Sequence, residues 1–254
     1  MGGGRHLELV IITAFCVGGA TAVGAFIGYF SRGVSRVFGD LIMAFAAGVM
    51  LAASIIGLII PAFEDLSSIG VAIPTAGIFV GAACIALLDH VVPVLCRMTG
   101  AIGADEERTR GVVLFALAIA VHNLPEGIAA GVGFGTGNVA DALLIAAGIA
   151  LQNIPEGMVL VSPMMAVGIR PSRALLCASL TGVIEIVGTF AGYFVVRLSS
   201  ALLPFLLAFA GGTMLCVISD EMIPEIHSEG AKRNATFSLL LGFALMMVFD
   251  KILG

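Results

Sequence analysis

Two similar hexapeptides place chemically active side chains in the middle of apolar segments. "HNLPEG" spans residues 122–127 and "QNIPEG" spans residues 152–157. In both, the first residue and the glutamate are four positions apart, so on a helix their side chains share a face one turn apart. Each proline leaves a backbone carbonyl without its helical donor. Imidazole, amide and carboxylate groups in this pattern are typical of a metal site or of a proton relay.

A third acid lies in a similar environment further along the chain. Glu185 has 11 uncharged residues on either side, between Arg173 and Arg197. Glu126 and Glu156 are likewise far from any other charge in sequence. An ionised side chain at the centre of a bilayer costs about 2.5–3.5 kcal/mol on insertion scales. Three such acids therefore predict that their carboxylates face one another and share a cation or protons.

These segments predict a site rich in oxygen ligands. The candidate donors are His122, Asn123, Glu126, Gln152, Asn153, Glu156 and Glu185. Imidazole and carboxylate without thiolate suit Zn²⁺, Fe²⁺, Mn²⁺, Co²⁺ or Cd²⁺ rather than Cu⁺. Seven donors exceed one tetrahedral shell, so two adjacent metals bridged by Glu126 and Glu156 are one arrangement. A proton relay and simple hydrogen bonds between helices stay open as alternatives.

The elements that must position these residues are membrane-spanning helices. The chain has 254 residues, of which 59% are hydrophobic and 11% charged, whereas soluble domains carry about 25% charge. We predict an all-α polytopic membrane protein with a single transmembrane domain, residues 1–254, made of eight helices. Their expected bounds are 7–31, 38–63, 69–96, 111–135, 140–168, 172–197, 201–226 and 234–253. The net charge of −5 includes no basic patch, which argues against nucleic acid as a partner.

The distribution of positive charge predicts the orientation of these helices. With eight spans, three of the twelve Lys and Arg residues fall on the side of the two termini and nine on the other. The positive-inside rule then places both termini outside the cytoplasm. We expect a multi-pass protein of the cell membrane, either the inner membrane or the plasma membrane.

An internal repeat accompanies the two hexapeptides. "AFAAGVML" at 44–51 recurs as "AFAGGTML" at 208–215, and prolines follow at Pro61 and Pro224. In the eight-helix topology, the second and seventh helices that carry these motifs run in opposite directions. Inverted repeats with proline-interrupted helices are typical of secondary transporters.

At the hexapeptides the sequence resembles the ZIP (Zrt/Irt-like) divalent metal transporters, and among them the bacterial branch with Pro-Glu-Gly on both central helices. The resemblance covers nearly the whole chain. It implies a 3+2+3 arrangement in which helices 1–3 and 6–8 are related by inverted symmetry. It also implies a carrier, not an enzyme, that needs no cofactor and brings Zn²⁺, and related ions such as Cd²⁺, Fe²⁺ and Mn²⁺, into the cytoplasm.

The same resemblance assigns roles to particular residues. It implies that the seven donors named above bind the metal and that Met50 on the second helix lies against it. Many members of the family have histidine at the position of Gln152 and an acid at the position of Asn153. The departure removes an imidazole and a charge from the site.

Acidic residues near the helix ends suggest where the ion enters and leaves. Glu64 and Asp65 follow the second helix and are candidates for the entrance. The candidates for the exit route are Asp89, His90, Asp220, Glu221, Glu225 and His227. Solvated polar caps at helix ends are the alternative interpretation.

We expect transport by alternating access, with helices 4, 5 and 6, together with helix 1, moving against helices 2, 3, 7 and 8. A proton-coupled transporter of another small solute and a metal-selective channel are the alternatives. An intramembrane metalloprotease is disfavoured because the sequence has no H-E-x-x-H motif. The expected partners are divalent metal ions and the lipid bilayer, and a homodimer is one expectation for the assembly.

Overall fold

The protein is described here by a computed structural model that covers residues 2–30, 36–64, 70–98, 123–134, 138–166, 169–198, 200–227 and 232–253. Within these ranges the backbone is helical apart from short turns, and no strand occurs. The main helices are α1 (Gly2–Phe30), α2 (Arg36–Ala52), α3 (Ala72–Met98), α4 (123–133), α5 (Val139–Ala166), α6 (Pro171–Leu198), α7 (Leu203–Val217) and α8 (Lys232–Leu253). The predicted all-α class is confirmed.

Helices of the described segments are long and apolar enough to cross a bilayer. Six candidate spans are found there, at His6–Phe30, Val37–Ala62, Val139–Val161, Pro171–Leu198, Leu203–Asp220 and Arg233–Ile252, and Ala72–Leu88 forms a shorter apolar helix. Large apolar side chains face outward, as Phe79 and Phe237 do with 70% and 64% of their surface exposed. Residues 111–122, where the fourth span is predicted to begin, lie outside the described segments.

Both copies of the internal repeat end in a π-helical segment. α2 continues into a π-helix at Ala53–Ile59, and α7 continues into one at Ile218–Met222. A short α-helical turn follows each, at Ile60–Ala62 and Ile223–His227. π-helical turns are rare and occur frequently at functional sites. The prolines near these helix ends are visible in the sequence. The widened turns that precede them could not be predicted from it.

The helices pack into two groups. In one, α1 lies along both α5 and α6. In the other, α3 lies along α7 and α2 lies along α8. α5 also packs against α2, and the two groups share an apolar core that includes Val17, Met50, Ile149 and Met214.

Helix contacts repeat at a constant offset in sequence, which shows the inverted repeat in three dimensions. Gly18 and Gly182 are 164 positions apart, and each is so close to the backbone of the other that a Cβ on either would meet a carbonyl oxygen. The same offset relates Gly48, which lies on the backbone of α8, to Gly212, which lies on the backbone of α3. The contact of α2 with α8 is therefore repeated by that of α7 with α3, and Gly18 and Gly182 meet where the two halves cross.

Candidate metal site

Three side chains from three helices donate hydrogen bonds to the buried carboxylate of Glu185 on α6. Thr21 Oγ1 on α1 donates to Oε1 over 2.7 Å, and Asn123 Nδ2 on α4 donates to the same oxygen over 2.6 Å. Asn153 Nδ2 on α5 donates to Oε2 over 2.5 Å. All four side chains are fully buried. Glu185 is thus the point at which α1, α4, α5 and α6 are joined by polar contacts.

The amide groups around Glu185 are oriented with their NH₂ ends towards the carboxylate or towards a neighbouring amide. Gln152 Nε2 donates to Asn153 Oδ1 over 2.7 Å, and Asn153 Nδ2 also approaches the carbonyl oxygen of Val17 at 3.3 Å. The NH₂ groups of both asparagines face Glu185, whose carboxylate oxygens accept from them. Each amide therefore turns its carbonyl oxygen away from that carboxylate.

Two of these carbonyl oxygens are buried without a donor. Asn123 Oδ1 and Gln152 Oε1 have no hydrogen-bond partner among the described residues. Leaving a buried acceptor unsatisfied costs about 1–3 kcal/mol, so native structures rarely do so without a reason. Amide oxygens are ligands for hard divalent cations, and coordination to a cation satisfies such an oxygen.

The two acids of the hexapeptides are buried close to this network. Glu126 is 1% exposed and Glu156 is 8% exposed. Each follows its asparagine by three positions on the same helix, and Glu126 interacts electrostatically with Glu185. Both acids therefore lie in the same buried part of the bundle as the amides that bind Glu185.

The glycines of the hexapeptides fix the positions of α4 and α5. A Cβ on Gly127 would collide with the carbonyl oxygen of Glu185, and a Cβ on Gly157 would collide with that of Thr21. Both positions therefore have room for glycine alone. Because each central helix lies directly on the backbone of Thr21 or Glu185, the neighbouring asparagines reach the Glu185 carboxylate.

Met50 lies in the apolar core. Its side chain is 1% exposed and belongs to the same buried cluster as Val17, whose carbonyl oxygen contacts Asn153. His122 lies outside the described residues. In the part of the chain that the structure describes, no three His, Cys, Asp or Glu residues come close enough to hold a metal ion by themselves. The donor set therefore depends on the amide oxygens as well as on the acids.

The candidate entrance and exit residues are only partly described. Asp65 lies outside the described residues, and the structure does not describe the side chains of Asp89, Glu221, Glu225 and His227. Glu64, His90 and Asp220 are exposed. Cys216 Sγ donates to Asp220 Oδ2 over 3.4 Å, one turn along the π-helical end of α7.

The sequence prediction missed Thr21. A single threonine in an apolar helix carries no charge and no motif, so nothing in its neighbourhood distinguishes it. The repeat does contain the signal, because the 164 residues between the two copies of the "AFA" motif also separate Thr21 from Glu185. Extending the repeat back to the first helix places Thr21 opposite the third acid.

A buried polar cluster between structural repeats, inside a bundle of apolar helices long enough to cross a membrane, is typical of membrane transporters. Comparison with known proteins agrees with this class. Residues 103–250 match the family model described as ZIP Zinc transporter.

Relatives of nearly full length are found among bacterial proteins. The chain is 38% identical over 250 residues to the zinc transporter GufA of Myxococcus xanthus, with 96% of this chain and 98% of that protein covered. It is 36% identical over 265 residues to the zinc transporter ZIPB of Bordetella bronchiseptica, with 98% and 82% covered. It is 34% identical over 251 residues to the zinc transporter ZupT of Corynebacterium glutamicum, with 90% and 93% covered. The chain belongs to the ZIP family of metal-ion transporters.

Proposed function

We propose that this protein imports divalent metal ions, Zn²⁺ foremost and also Fe²⁺, Mn²⁺ and Cd²⁺, through the site between α4, α5 and α6. The observation that carries the proposal is the convergence of amides on Glu185, which leaves the buried oxygens Asn123 Oδ1 and Gln152 Oε1 without donors among the described residues. Oxygen atoms gathered in this way, beside buried acids, favour a divalent cation as substrate. The three relatives described above are named as zinc transporters, which supports zinc as one substrate.

The residues of the site have distinct roles in this proposal. The proposed metal-binding residues are His122, Asn123, Glu126, Gln152, Asn153, Glu156, Glu185 and Met50. Glu126 and Glu156 supply the charge that attracts the ion, and they bind it in their ionised form. The amides supply neutral oxygens, which bind less tightly than carboxylates and so allow the ion to leave.

We further propose that transport proceeds by alternating access between the two helix groups. α1 and α4–α6 form the group that carries the site, and α2, α3, α7 and α8 form the other. The packing supports this division, because α1 is joined to α5 and α6 by close backbone contacts whereas α2 and α3 pair with α8 and α7. Movement of one group against the other exposes the ion to each side in turn.

The proposed direction, into the cytoplasm, is the one that the family resemblance implies, and the proposed orientation in the cell membrane has both termini outside. Ions enter near Glu64 and Asp65 in this proposal. They leave along Asp89, His90, Asp220, Glu221, Glu225 and His227. We retain the homodimer as the expected assembly.

The proposal is tested by flux into proteoliposomes that hold the purified full-length chain and a metal-sensitive dye. We expect saturable uptake of Zn²⁺, abolished in Glu126→Gln and Glu156→Gln. The matched control is Asp141→Asn, which removes a partly exposed acid from the first turn of α5. Uptake that does not saturate with concentration would identify a channel, and wild-type protein that takes up none of the four metals would overturn the proposal.

A further inference from the structure

The side chain of Thr21 occupies the position in the first half of the repeat that Glu185 occupies in the second. The two residues are 164 positions apart in sequence, and so are Gly18 and Gly182. Gly157 lies on the carbonyl of Thr21 just as Gly127 lies on the carbonyl of Glu185. The two side chains therefore meet at the axis that relates the halves.

The hydrogen bonds give Thr21 a defined effect on the carboxylate. An oxygen of a carboxylate has two lone pairs. Oε1 of Glu185 accepts from both Thr21 and Asn123, so its two lone pairs are used. Among the described side chains, Oε2 accepts from Asn153 alone, so these contacts leave one of its lone pairs unused. The contacts of the described residues thus distinguish the two oxygens of the carboxylate.

We propose that Thr21 is a positioning residue of the metal site, which it controls by holding Oε1 of Glu185. This inference rests on the proposed function. With Oε1 held, Glu185 binds the ion through Oε2 alone, and the NH₂ groups of Asn123 and Asn153 stay turned towards the carboxylate. Their carbonyl oxygens and that of Gln152 are then kept available for the ion before it arrives.

The asymmetry at this position also limits the charge of the site. The two hexapeptides supply paired asparagines and paired glutamates. The inverted repeat, in contrast, supplies a carboxylate from α6 and only a hydroxyl from α1. The hydroxyl of Thr21 donates a hydrogen bond to Glu185, whereas a carboxylate at the same position would repel the carboxylate of Glu185. Thr21 therefore completes the hydrogen bonding of Glu185 without adding a fourth negative charge to a buried site.

The test compares Zn²⁺ binding isotherms and proteoliposome uptake for full-length variants. Thr21→Val removes the donor and Thr21→Ser keeps it. The control is Thr213→Val on α7, which is equally buried and whose hydroxyl bonds the carbonyl of Ala210 at 2.6 Å. Outer-shell partners of metal ligands change affinity by about 10–100-fold, so we expect a loss of that size in Thr21→Val. Thr21→Ser and Thr213→Val should bind as the wild type does.

Additional variants and measurements distinguish a positioning role of Thr21 from a defect in folding and from a failure of the proposed function. Thr21→Ala, a smaller side chain without a donor, replaces Thr21→Val if that variant does not fold. The metal-free unfolding midpoints of Thr21→Val and Thr213→Val should fall alike, because both lose one buried hydrogen bond. Wild-type affinity in Thr21→Val and Thr21→Ala, or a loss in Thr21→Ser equal to theirs, would overturn the inference. A wild-type chain that binds none of the four metals would instead overturn the proposed function.

Discussion

Gly18 on α1 and Gly182 on α6 meet backbone to backbone, and each leaves no room for a Cβ on the other. Their separation of 164 residues is the offset of the internal repeat, so the contact lies where the two halves cross. Thr21 follows Gly18 by three positions, and Glu185 follows Gly182 by three positions. The site therefore lies at the same crossing. The architecture of the bundle and the geometry of the site therefore depend on one close contact.

A methyl group at the contact of Gly18 with Gly182 should disturb both the packing of the bundle and the geometry of the site. In Gly182→Ala the new Cβ meets the carbonyl oxygen of Gly18, and overpacking of this kind costs about 1–3 kcal/mol. We expect a lower unfolding midpoint and weaker Zn²⁺ binding, measured on purified protein in detergent. The control is Gly19→Ala, because a Cβ on Gly19 meets no atom within 4 Å. Equal midpoints for the two variants would contradict this interpretation of the crossing.

Neutralising Glu185 should disorganise the amides. In Glu185→Gln the acceptor is uncharged and carries an NH₂ group of its own, so Thr21, Asn123 and Asn153 can no longer all donate to it. We expect Zn²⁺ affinity to fall by at least the 10–100-fold typical of outer-shell changes, because a ligand and its supporting bonds are lost together. Isothermal titration of purified protein measures this. Affinity within error of the wild type would show that Glu185 has no part in binding.

Restoring an acid at position 153 tests the role of the asparagine. Asn153→Asp replaces the donor to Glu185 Oε2 with a second carboxylate, which repels the first unless a cation lies between them. We expect a lower unfolding midpoint without metal and a larger rise on addition of Zn²⁺ than in the wild type. The matched change is Asn138→Asp, at the exposed start of α5, where an aspartate can still cap the N–H of Ala140. A metal-induced rise no larger than that of Asn138→Asp would contradict the prediction.

The two π-helical segments should be needed for transport. A π-helical turn contains one residue more than the α-helix it replaces, so deletion of Ile55 from Ala53–Ile59 converts the turn to α-helix. The residues that follow stay nearly in register, because the deleted residue is the extra one that the wide turn holds, so the deletion removes the widened turn itself. We expect folded protein that binds Zn²⁺ at the central site but transports it slowly, as measured by dye-loaded proteoliposomes alongside binding isotherms. Full uptake in the deletion variant would show that the widened turn is dispensable.

Much of the fold and part of the site follow from the sequence. Long apolar stretches predict the helical membrane class, and the repeated motifs at 44–51 and 208–215 predict the related halves. The buried position of Glu126, Glu156 and Glu185 could also be expected, because charge this far from any other is tolerated only inside a bundle.

Other features need three-dimensional information. The direction of the amides depends on which atoms of Asn123 and Asn153 face Glu185, and no sequence pattern specifies that. Thr21 carries no charge and lies in no motif, so it is recognised only by its place in the repeat. The π-helical turns leave no trace in composition, since one extra residue in an apolar helix changes neither its hydropathy nor its length appreciably.

The most direct test of the central claim is an anomalous-difference map from crystals of the full-length chain soaked in Zn²⁺ or Cd²⁺. We predict a peak between α4, α5 and α6, within bonding distance of Oε2 of Glu185, of the carboxylate of Glu126 or Glu156, and of an amide oxygen of Asn123 or Gln152. A map that shows no peak inside the bundle at saturating metal, with Asn123, Asn153 and Glu185 still bonded to one another, would contradict the account.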